Sequence, residues 1–414
     1  MRVVLIGSGA VGSAITAISA RRRFIERLVV ADVDLLRAQE VAAGAAEGGL
    51  ATFAERVDAS SRVDIEALLR RHRADMVVNA CDPRFNPPIF EAAFACGVHY
   101  LDMAMNLSQP HPEQPHELLG VPLGEAQLAA HDQWRAKGLL AIVGMGVEPG
   151  LSNVFARFAA DHLFSSIDEI GVRDGGNLVI DGFAFAPTFS IWTTIEECLN
   201  PPIIYERARG WYTTEPFSEP EIFDFPEGIG PLECVNVEHE EVLLIPRVLR
   251  DVGRVTFKYG LGREFIEVLR TLHLVGLDST RRIRVGGADV SPRDVLAATL
   301  PDPAKLGHLM HGKTCAGTWV TGLGRDGRPR DTFLYHVVDN ADSMRDYGCQ
   351  AVAWQTAVNP VIAMELLATG AWRGAGVHGP EAFDAVPFLG LLGDYGVAHK
   401  VQERVPLLLA ASAA

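Results

Sequence analysis

The sequence has little of what nucleic-acid-binding, membrane-spanning or disulfide-rich proteins require. It has 37 Lys and Arg residues against 52 Asp and Glu, and the formal charge of −15 argues against a nucleic-acid partner, because binding phosphates needs clustered cations. No uninterrupted apolar run reaches the roughly eighteen residues of a membrane span, so we expect no membrane association. The six cysteines are scattered without a CxxC pair, which predicts reduced thiols and no disulfide framework.

The N-terminus also lacks the pattern of a secretory signal. Its first residues, MRVVLIG, are typical of a β-strand. The charged segment, the long apolar run and the cleavage site that together mark a signal peptide are not found there. Together with the scattered cysteines, this predicts a cytoplasmic protein. The run PHPEQPHE contains two histidines without the spacing of metal ligands, so we predict no metal site.

Chain length and the order of the sequence patterns predict two domains and a C-terminal segment. Residues 1–150 alternate β-branched runs with helical patterns, which indicates an α/β fold with a doubly wound parallel Rossmann sheet. Residues 151–352 contain shorter alternating runs, including 178–185 and 240–244, which predict a second α+β domain with a mixed or antiparallel sheet. Residues 353–414 start with an apolar helical pattern, and we expect them to pack back on the first domain.

Two further segments have distinct patterns. Residues 314–323 and 332–340 flank the turn sequence GRDGRPR and predict a β-hairpin. Residues 106–123 form a Pro- and His-bearing loop (NLSQPHPEQPHELLGVPL), for which a cover over a cleft and a plain surface excursion are equally consistent with the sequence.

The first strand and helix are joined by a glycine-rich turn, VVLIGSGAVGSAI, with GxGxxG spacing. The first glycine permits a tight turn, the second lets a pyrophosphate approach the backbone, and the third lets the helix pack closely on the strand. The N–H groups at the positive end of the helix then bind the phosphates. The predicted cofactor-binding residues of this turn are Gly7, Ser8, Gly9, Ala10, Val11 and Gly12.

Asp32 ends the next strand, in LVVADVD, and predicts which dinucleotide is bound. A carboxylate at this place accepts hydrogen bonds from the adenosine ribose and repels a 2′-phosphate, so NAD is favoured over NADP. Arg37 lies nearby and could soften that preference. FAD and S-adenosylmethionine also bind at glycine-rich turns, and the strict spacing together with Asp32 makes both less favoured.

Further candidates stand where the fourth and fifth strands are expected to end. The carboxyl ends of parallel strands face the ligand crevice, so Asn79, Ala80 and Cys81 are predicted to border the cofactor. Asp102 is predicted to bind a substrate ammonium or, alternatively, to cap the following turn. Asn106 lies just beyond it and is a candidate substrate ligand.

The segment GMGVEPGLSN, residues 144–153, is the second candidate site. Its three glycines and proline favour an unusual backbone path and close approach of a ligand at a domain junction. Glu148 is our first choice for an acid–base group or an amine ligand. Gly150 and Asn153 are candidate substrate contacts, although for Asn153 the cap of the following helix is the favoured interpretation.

Candidates in the second domain are isolated along the sequence. The run HGKT places His311, Lys313 and Thr314 together, and Arg247 could meet a substrate carboxylate. Our ranking of acid–base candidates is Glu148, Asp102, Lys313 and His311.

Several segments together resemble the saccharopine dehydrogenase-like family, and most closely its lysine 6-dehydrogenase members, over roughly residues 1–300. They are VVLIGSGAVG, LVVADVD, VVNACDPRFNPPIFEAAFACGVHYLD, GMGVEPGLSN, IGPLECVNVE and SPRDVL. The resemblance implies an NAD(P)-dependent oxidoreductase that transfers hydride at a C–N bond of an amino acid or carboxylated polyamine precursor. It implies either oxidation of a primary amine or formation and cleavage of a secondary amine, by a homodimer joined through the second-domain sheet. The opposing hypothesis is a non-catalytic NAD(H)-binding sensor or scaffold.

Overall fold

The computed structural model describes residues 1–404; residues 405–414, the end of the predicted C-terminal segment, lie outside the described part. The first part of the chain alternates strands and helices, as its sequence pattern predicts. Its elements are β1 (Arg2–Ile6), α1 (Ala10–Ser19), β2 (Arg27–Asp32), α2 (Leu35–Glu47), β3 (Thr52–Arg56), α3 (Arg62–His72), β4 (Met76–Asn79), α4 (Asn86–Cys96), β5 (His99–Asp102), α5 (Glu125–Ala129), α6 (His131–Ala136) and β6 (Leu140–Ile142).

The second part is richer in strands. Its elements are α7 (Leu151–Phe158), β7 (Phe164–Gly176), β8 (Val179–Ile180), α8 (Ile191–Leu199), β9 (Ile203–Glu206), β10 (Gly210–Thr213), β11 (Glu221–Phe225), β12 (Gly230–Asn236), α9 (Glu241–Val248), β13 (Arg254–Gly260), α10 (Arg263–Leu274), β14 (Ile283–Val285), β15 (Ala288–Val290), α11 (Pro292–Thr299), β16 (Met310–His311), β17 (Lys313–Gly324), β18 (Pro329–Asp339) and α12 (Asn340–Tyr347). A π-helical turn over Ala159–Leu163 extends α7.

The C-terminal segment contributes one strand to each large sheet. It comprises α13 (Ala351–Thr369), β19 (Gly376–His378), α14 (Ala385–Asp394) and β20 (Lys400–Arg404). Strand β19 pairs in parallel with β6, and β20 pairs antiparallel with β18. Helix α13 packs against α1, so this segment closes over both parts of the molecule.

The first sheet is parallel throughout and has the order β19-β6-β5-β4-β1-β2-β3. The six strands from the first part follow the doubly wound order, with the crossover between β1 and β4. Their apolar runs are buried on both faces, as in Val3–Ile6, because helices cover the sheet on both sides. The predicted Rossmann sheet is confirmed, and β19 extends it.

The second sheet is mixed. Its main path is β10-β9-β13-β7-β17-β18-β20, and β12 with β11 joins at β13. Strands β13 and β7 are parallel, whereas the long β17–β18 pair is the antiparallel hairpin that the sequence predicts. The predicted mixed sheet of a second domain is therefore confirmed.

Two strand predictions are wrong. Of residues 240–244, Glu240 is the N-cap and the other four belong to helix α9; residues 178–185 form only the two-residue strand β8 followed by turns. In α9 the residues Val242, Leu243, Leu244 and Ile245 are all almost completely buried. A helix that is apolar all round has no amphipathic period, so its sequence cannot be told from that of a buried strand.

Helix α13 is, among residues 1–404, the one helix that is long and apolar enough to cross a membrane by length and composition alone. In the structure, 72% of its apolar window is buried inside the protein, chiefly against α1 and α14. Its apolar character is therefore accounted for by packing in the core.

Candidate active site

A cavity of about 660 Å³ lies between the carboxyl edge of the first sheet and the second sheet. One side is formed by the start of α1 and by the backbone that follows β4. The other side is formed by residues 147–149 of the loop after β6, by β7 and β13, by helix α8 and by His239, which lies shortly before α9. Among its polar lining residues are Asn79, Glu148, Asp174, Glu197, His239 and Tyr259.

The three glycines of the first turn have different steric surroundings. Gly7 adopts φ +99°, and a Cβ there would lie 2.6 Å from the Ala80 carbonyl oxygen. A Cβ on Gly12 would lie 2.0 Å from the Gly7 carbonyl oxygen, so helix α1 can approach the strand only with glycine at this place. A Cβ on Gly9 would meet no atom within 4 Å, because this residue faces the open cavity.

The N-terminus of α1 has the features of a phosphate site. Helices α2 and α3 are capped by the side chains of Asp34 and Ser61, whereas Gly9 at the start of α1 provides no side-chain cap. Gly9, Ala10 and Val11 line the cavity. The first N–H groups of α1 and its positive end are therefore directed to the cavity, where a pyrophosphate would satisfy them. The residues present fit a dinucleotide.

Ser8 and Asp32 hold the glycine turn. The Asp32 carboxylate accepts hydrogen bonds from the Ser8 backbone N–H and hydroxyl, both at 2.8 Å, and from the Asp34 N–H at 2.9 Å. Burial tends to raise the pKa of Asp32, but these hydrogen bonds and the nearby Arg37 outweigh it and lower the pKa. Asp32 is therefore an ionised acceptor that lies behind the glycine turn, and neither Asp32 nor Ser8 lines the cavity itself. Arg37 lies on the cavity wall.

Asn79, Ala80 and Cys81 line the cavity next to the turn. The Asn79 side chain accepts a hydrogen bond from the Cys81 N–H at 3.0 Å and donates one to Asn86 at 2.6 Å. These bonds fix the backbone after β4 at the rim of the nucleotide end. Burial raises the pKa of the Cys81 thiol to about 12, so it is a neutral wall group.

Asp102 is buried behind the cavity and does not line it. Its carboxylate accepts hydrogen bonds from the Tyr100 hydroxyl, the Gln127 amide and the Gly144 N–H, at 2.7–2.8 Å. Burial raises its pKa to about 7 in spite of these donors. The structure thus gives Asp102 the role of anchoring the start of the junction loop, residues 144–150, away from the reacting centre.

Gly150 and Asn153 shape the same loop. Gly150 adopts φ +137°, and a Cβ there would lie 2.0 Å from the Gly146 carbonyl oxygen. The Asn153 side chain accepts a hydrogen bond from the Gly150 N–H at 2.9 Å and donates one to Glu381 at 2.8 Å. Asn153 therefore acts as a cap at the start of α7, the alternative weighed from the sequence, and neither residue lines the cavity.

Glu148 is at the tip of the junction loop and lines the cavity. Its Oε1 atom is enclosed and has no hydrogen-bond partner among residues 1–404. Burial raises the pKa of Glu148 well above its ordinary value, and the charges of Asp174, Glu241 and Glu197 raise it further. Glu148 is thus a carboxyl group that holds its proton at neutral pH.

Two other carboxyl groups face Glu148 across the cavity. Asp174 lies on β7 opposite Tyr259 of β13, and Glu197 lies one helical turn after Thr193 on α8. Burial raises the pKa of Asp174 to about 7 and that of Glu197 to about 8. We call Glu148, Asp174 and Glu197 the acidic wall.

His239 borders the acidic wall and is almost completely buried. Its ring stacks on Phe257 at a centroid distance of 3.6 Å, and its Nδ1 lies 2.5 Å from Glu241 Oε2. Burial alone would lower the pKa of His239, but Glu241, Glu240 and Glu197 raise it to about 10. The ring is therefore a cation at neutral pH.

His239, Glu240 and Glu241 each bring one potential ligand atom within 4.8 Å of the others, a spacing that a metal ion could use. Their atoms, however, have protein partners. The second Glu241 oxygen accepts a hydrogen bond from Ser152 at 2.7 Å, and Glu240 accepts one from the Met105 N–H at 3.0 Å. We interpret this group as a buried ion-pair network.

The remaining predicted substrate and catalytic residues lie elsewhere. His311 is in the short strand β16, which pairs with β8, and its ring contacts Asp181. Lys313 begins β17 and contacts the Glu227 carbonyl oxygen. Arg247 is exposed and faces Glu125 at 3.5 Å. None of these lines the cavity. The same holds for Thr314, which is buried in β17, and for Asn106, whose N–H donates to Gln127.

The loop of residues 106–123 does not line the cavity either. Its Ser108 hydroxyl donates to Glu238 at 2.8 Å, so the loop is fastened to the second part of the molecule. Sequence reasoning missed Asp174, Glu197 and His239. One sequence signal for His239 was available. Residues 238–241 read EHEE, and four adjacent ionisable groups directly before an apolar run are unusual for a strand on the protein surface.

Comparison with known families agrees with this geometry over nearly the whole chain. The model of the saccharopine dehydrogenase NADP binding domain matches residues 3–142, and that of the saccharopine dehydrogenase C-terminal domain matches residues 146–397. Among solved structures, apo saccharopine dehydrogenase (L-Glu forming) from Saccharomyces cerevisiae superposes with a TM-score of 0.68 at 14% identity, covering 98% of this chain and 100% of the other. That likeness shows a shared fold.

Two relatives are similar in sequence as well. Carboxynorspermidine synthase of Vibrio cholerae is 31% identical over 356 residues, covering 85% of this chain and 83% of the relative. Carboxyaminopropylagmatine dehydrogenase of Synechocystis is 28% identical over 403 residues, covering 97% of both. The chain therefore belongs to the saccharopine dehydrogenase family and is an NAD(P)-dependent oxidoreductase that acts on a C–N bond.

Proposed function

We propose that the enzyme forms or cleaves a carboxylated secondary amine, in which an amino-acid-like half is joined to a cationic diamine or agmatine-like half. The observation that carries this proposal is the acidic wall, which faces the same cavity as the N-terminus of α1. The names of the two relatives denote compounds of this kind, a carboxynorspermidine and a carboxyaminopropylagmatine.

The nucleotide end orients the cofactor for this chemistry. The start of α1 would hold the pyrophosphate, Asp32 the adenosine ribose, and the backbone at Asn79–Cys81 would border the nicotinamide side. NAD(P)H supplies the hydride that reduces the C=N bond, and NAD(P)⁺ accepts it in the opposite direction. The protein contributes position and electrostatics.

The acidic wall favours a cationic amine. Several buried carboxyl groups that face one another cannot all ionise without a counter-charge, and so they retain protons. An ammonium or guanidinium group supplies that counter-charge and replaces the protons when it binds. A substrate half that ends in a carboxylate would be repelled at the same place. This argues for a diamine or agmatine-like half over the glutamate-like half of saccharopine.

We also propose that NAD is preferred over NADP, because Asp32 is ionised at the nucleotide end. Arg37 on the same wall is the group that would accept a 2′-phosphate. The balance of these two charges sets the preference.

We propose in addition that the enzyme works as a homodimer in the cytoplasm. The second sheet has outer strands at β10 and, in the described part, at β20, which could pair across a two-fold axis. All six cysteines are free thiols, as suits a reducing compartment. Light scattering of the purified protein and imaging of a tagged copy would test the two statements.

The test is an NAD(P)H absorbance assay run in both directions. We would offer carboxylated polyamines, a carboxylated agmatine derivative, saccharopine and lysine with NAD⁺ and with NADP⁺. We expect turnover with the first two and roughly 10- to 100-fold lower kcat/KM with saccharopine and lysine. Equal or better turnover of saccharopine would contradict the role of the acidic wall, and preference for lysine would indicate a primary-amine dehydrogenase.

A further inference from the structure

We propose that His239 is the proton donor of the reaction, held by Glu241 and Ser152 so that its Nε2 faces the substrate. This inference rests on the proposed function and assigns an acid–base residue to it. The sequence ranking had favoured Glu148 for this role.

The geometry resembles a buried histidine–carboxylate pair whose carboxylate orients the ring. Glu241 accepts the Nδ1 proton at 2.5 Å, and Ser152 fixes its other oxygen at 2.7 Å. Stacking on Phe257, with an interplanar angle of 6°, prevents the ring from rotating. The ring can then move only with the whole segment.

Nε2 is the one ring atom left for chemistry. It forms no hydrogen bond among residues 1–404, yet it is not one of the enclosed unpaired atoms, and His239 lines the cavity. An N–H donor that is open to the cavity and fixed in direction meets the geometric requirement for a general acid.

The charges around His239 keep its proton in place before reaction. They come from Glu241 and Glu240 on its own segment and from Glu197 on α8, and Asp174 on β7 interacts with the ring as well. Glu148 on the junction loop and Tyr259 of β13 line the same cavity but are neutral, so they add no charge. The carboxylates together outweigh burial, so the ring is a cation.

His239 acts in the loss of water that forms the C=N bond. In the direction of synthesis, the ammonium of the amine gives a proton to a carboxylate of the acidic wall, and the free amine attacks the aldehyde carbon to form a carbinolamine. His239 donates its Nε2 proton to the carbinolamine hydroxyl, the C–O bond breaks, and water leaves as the nitrogen lone pair forms the C=N bond. The iminium carbon then accepts the hydride, and His239 regains a proton from the wall.

The experiment compares pH profiles of kcat for the wild type, His239→Gln, Glu241→Gln and Glu238→Gln. Because the acid must be protonated, we expect kcat to fall above the pKa of His239. His239→Gln should lower kcat roughly 100-fold or more and abolish this fall. Glu241→Gln should shift it to lower pH by roughly one to two units, since it removes the charge that favours the imidazolium.

Glu238→Gln is the matched control. It makes the same chemical change three residues away in the same buried segment, where Glu238 bonds to Ser108 and Asn200 and not to the ring. We expect its profile to match the wild type. An unchanged profile in Glu241→Gln, or loss of the high-pH fall in Glu148→Gln instead, would overturn the assignment to His239.

A second measurement does not depend on turnover. NMR titration of labelled histidine in the cofactor-free protein, with His239→Gln to assign the signal, should show His239 titrating well above free imidazole in the wild type and lower in Glu241→Gln. An ordinary titration would overturn the proposal. If instead no amine is turned over by the wild type while this titration is as expected, the proposed substrate is wrong and the histidine pair stands.

Discussion

The two ends of the cavity are built in opposite ways. The nucleotide end is formed chiefly by one short segment, in which Gly9, Ala10 and Val11 line the cavity and Asp32 holds the turn through Ser8. The acidic end is formed by side chains from four separate stretches of chain: the junction loop, β7, α8 and the segment before α9. The cofactor can be bound through backbone groups, because the fold supplies these whatever the side chains are. The substrate is selected by side chains.

The two ends also differ in how completely their polar groups are paired. Asp32 and Asn79 have hydrogen-bond partners that fix them before any ligand binds. Glu148 has an enclosed oxygen without a partner, and the acidic wall as a whole retains protons. The nucleotide end is thus preorganised, whereas the acidic end has polar groups that a bound cation would pair.

The largest expected effect comes from replacing glycines of the nucleotide end, and it should differ between Gly12 and Gly9. Gly12→Ala should destabilise the protein and abolish cofactor binding, since its Cβ would lie 2.0 Å from the Gly7 oxygen. Gly9→Ala should leave thermal stability unchanged and weaken only NAD(P)H binding, because its Cβ enters open space where the phosphates would lie. Thermal melts and fluorescence titration with NADH measure both. Equal destabilisation by the two changes would contradict the distinction.

The next largest effect is expected from a substitution that alters the acidic end alone. Glu197→Gln should raise the KM of the cationic amine roughly 10- to 100-fold and leave NAD(P)H affinity unchanged, since removing one partner of an enclosed charge pair costs a few kcal/mol. Glu196→Gln is the control on the same helix, because Glu196 pairs with Arg293 and does not line the cavity. A similar rise in KM for both variants would show that the effect is not specific to the wall.

The acidic end should also depend on pH. Asp174 and Glu197 have pKa values raised to about 7 and about 8, so they lose their protons only as pH rises through this range. Cation binding favours the ionised form, and the KM of the amine should therefore fall roughly tenfold between about pH 6 and about pH 8. NAD(P)H affinity should stay constant over the same interval. A KM that is flat or that rises would count against the acidic wall as the amine site.

The smallest effect concerns the choice of dinucleotide. Asp32→Ala should weaken NADH binding by about tenfold and reduce discrimination against NADPH, because the ribose loses its acceptor while the phosphate site remains. Arg37→Ala should have the converse effect and weaken NADPH alone. Titration of both variants with both cofactors tests this. Unchanged affinities in Asp32→Ala would mean that this carboxylate serves only to hold Ser8.

Much of the nucleotide end could be predicted from the sequence because its causes are local. The positive φ of Gly7 and the close contact at Gly12 follow from neighbours in the chain and from the adjacent strand. Glu148 was identified because glycines and a proline mark its loop. Asp102 has a comparable sequence signal, yet its hydrogen bonds to Tyr100, Gln127 and Gly144 place it behind the cavity.

The acidic end could not be predicted in this way. Asp174 lies in a long strand and Glu197 in a helix, and neither has a local pattern that separates it from a solvent-exposed acid. His239 precedes a segment that reads as a strand and is a buried helix. Conversely, the run HGKT has a promising pattern, but His311 lies in the short β8–β16 pair and Lys313 at the start of β17, and neither lines the cavity.

The sequence by itself determined the turn, the helix start and the carboxylate of the nucleotide end, since steric limits on a few adjacent residues fix them. Only the tertiary structure decided that Glu148, Asp174, Glu197 and His239 share one cavity, and that β19 and β20 extend the two sheets. The physical reason is that backbone conformation depends on near neighbours, whereas the pKa of a side chain depends on burial and on charges that distant parts of the chain bring close.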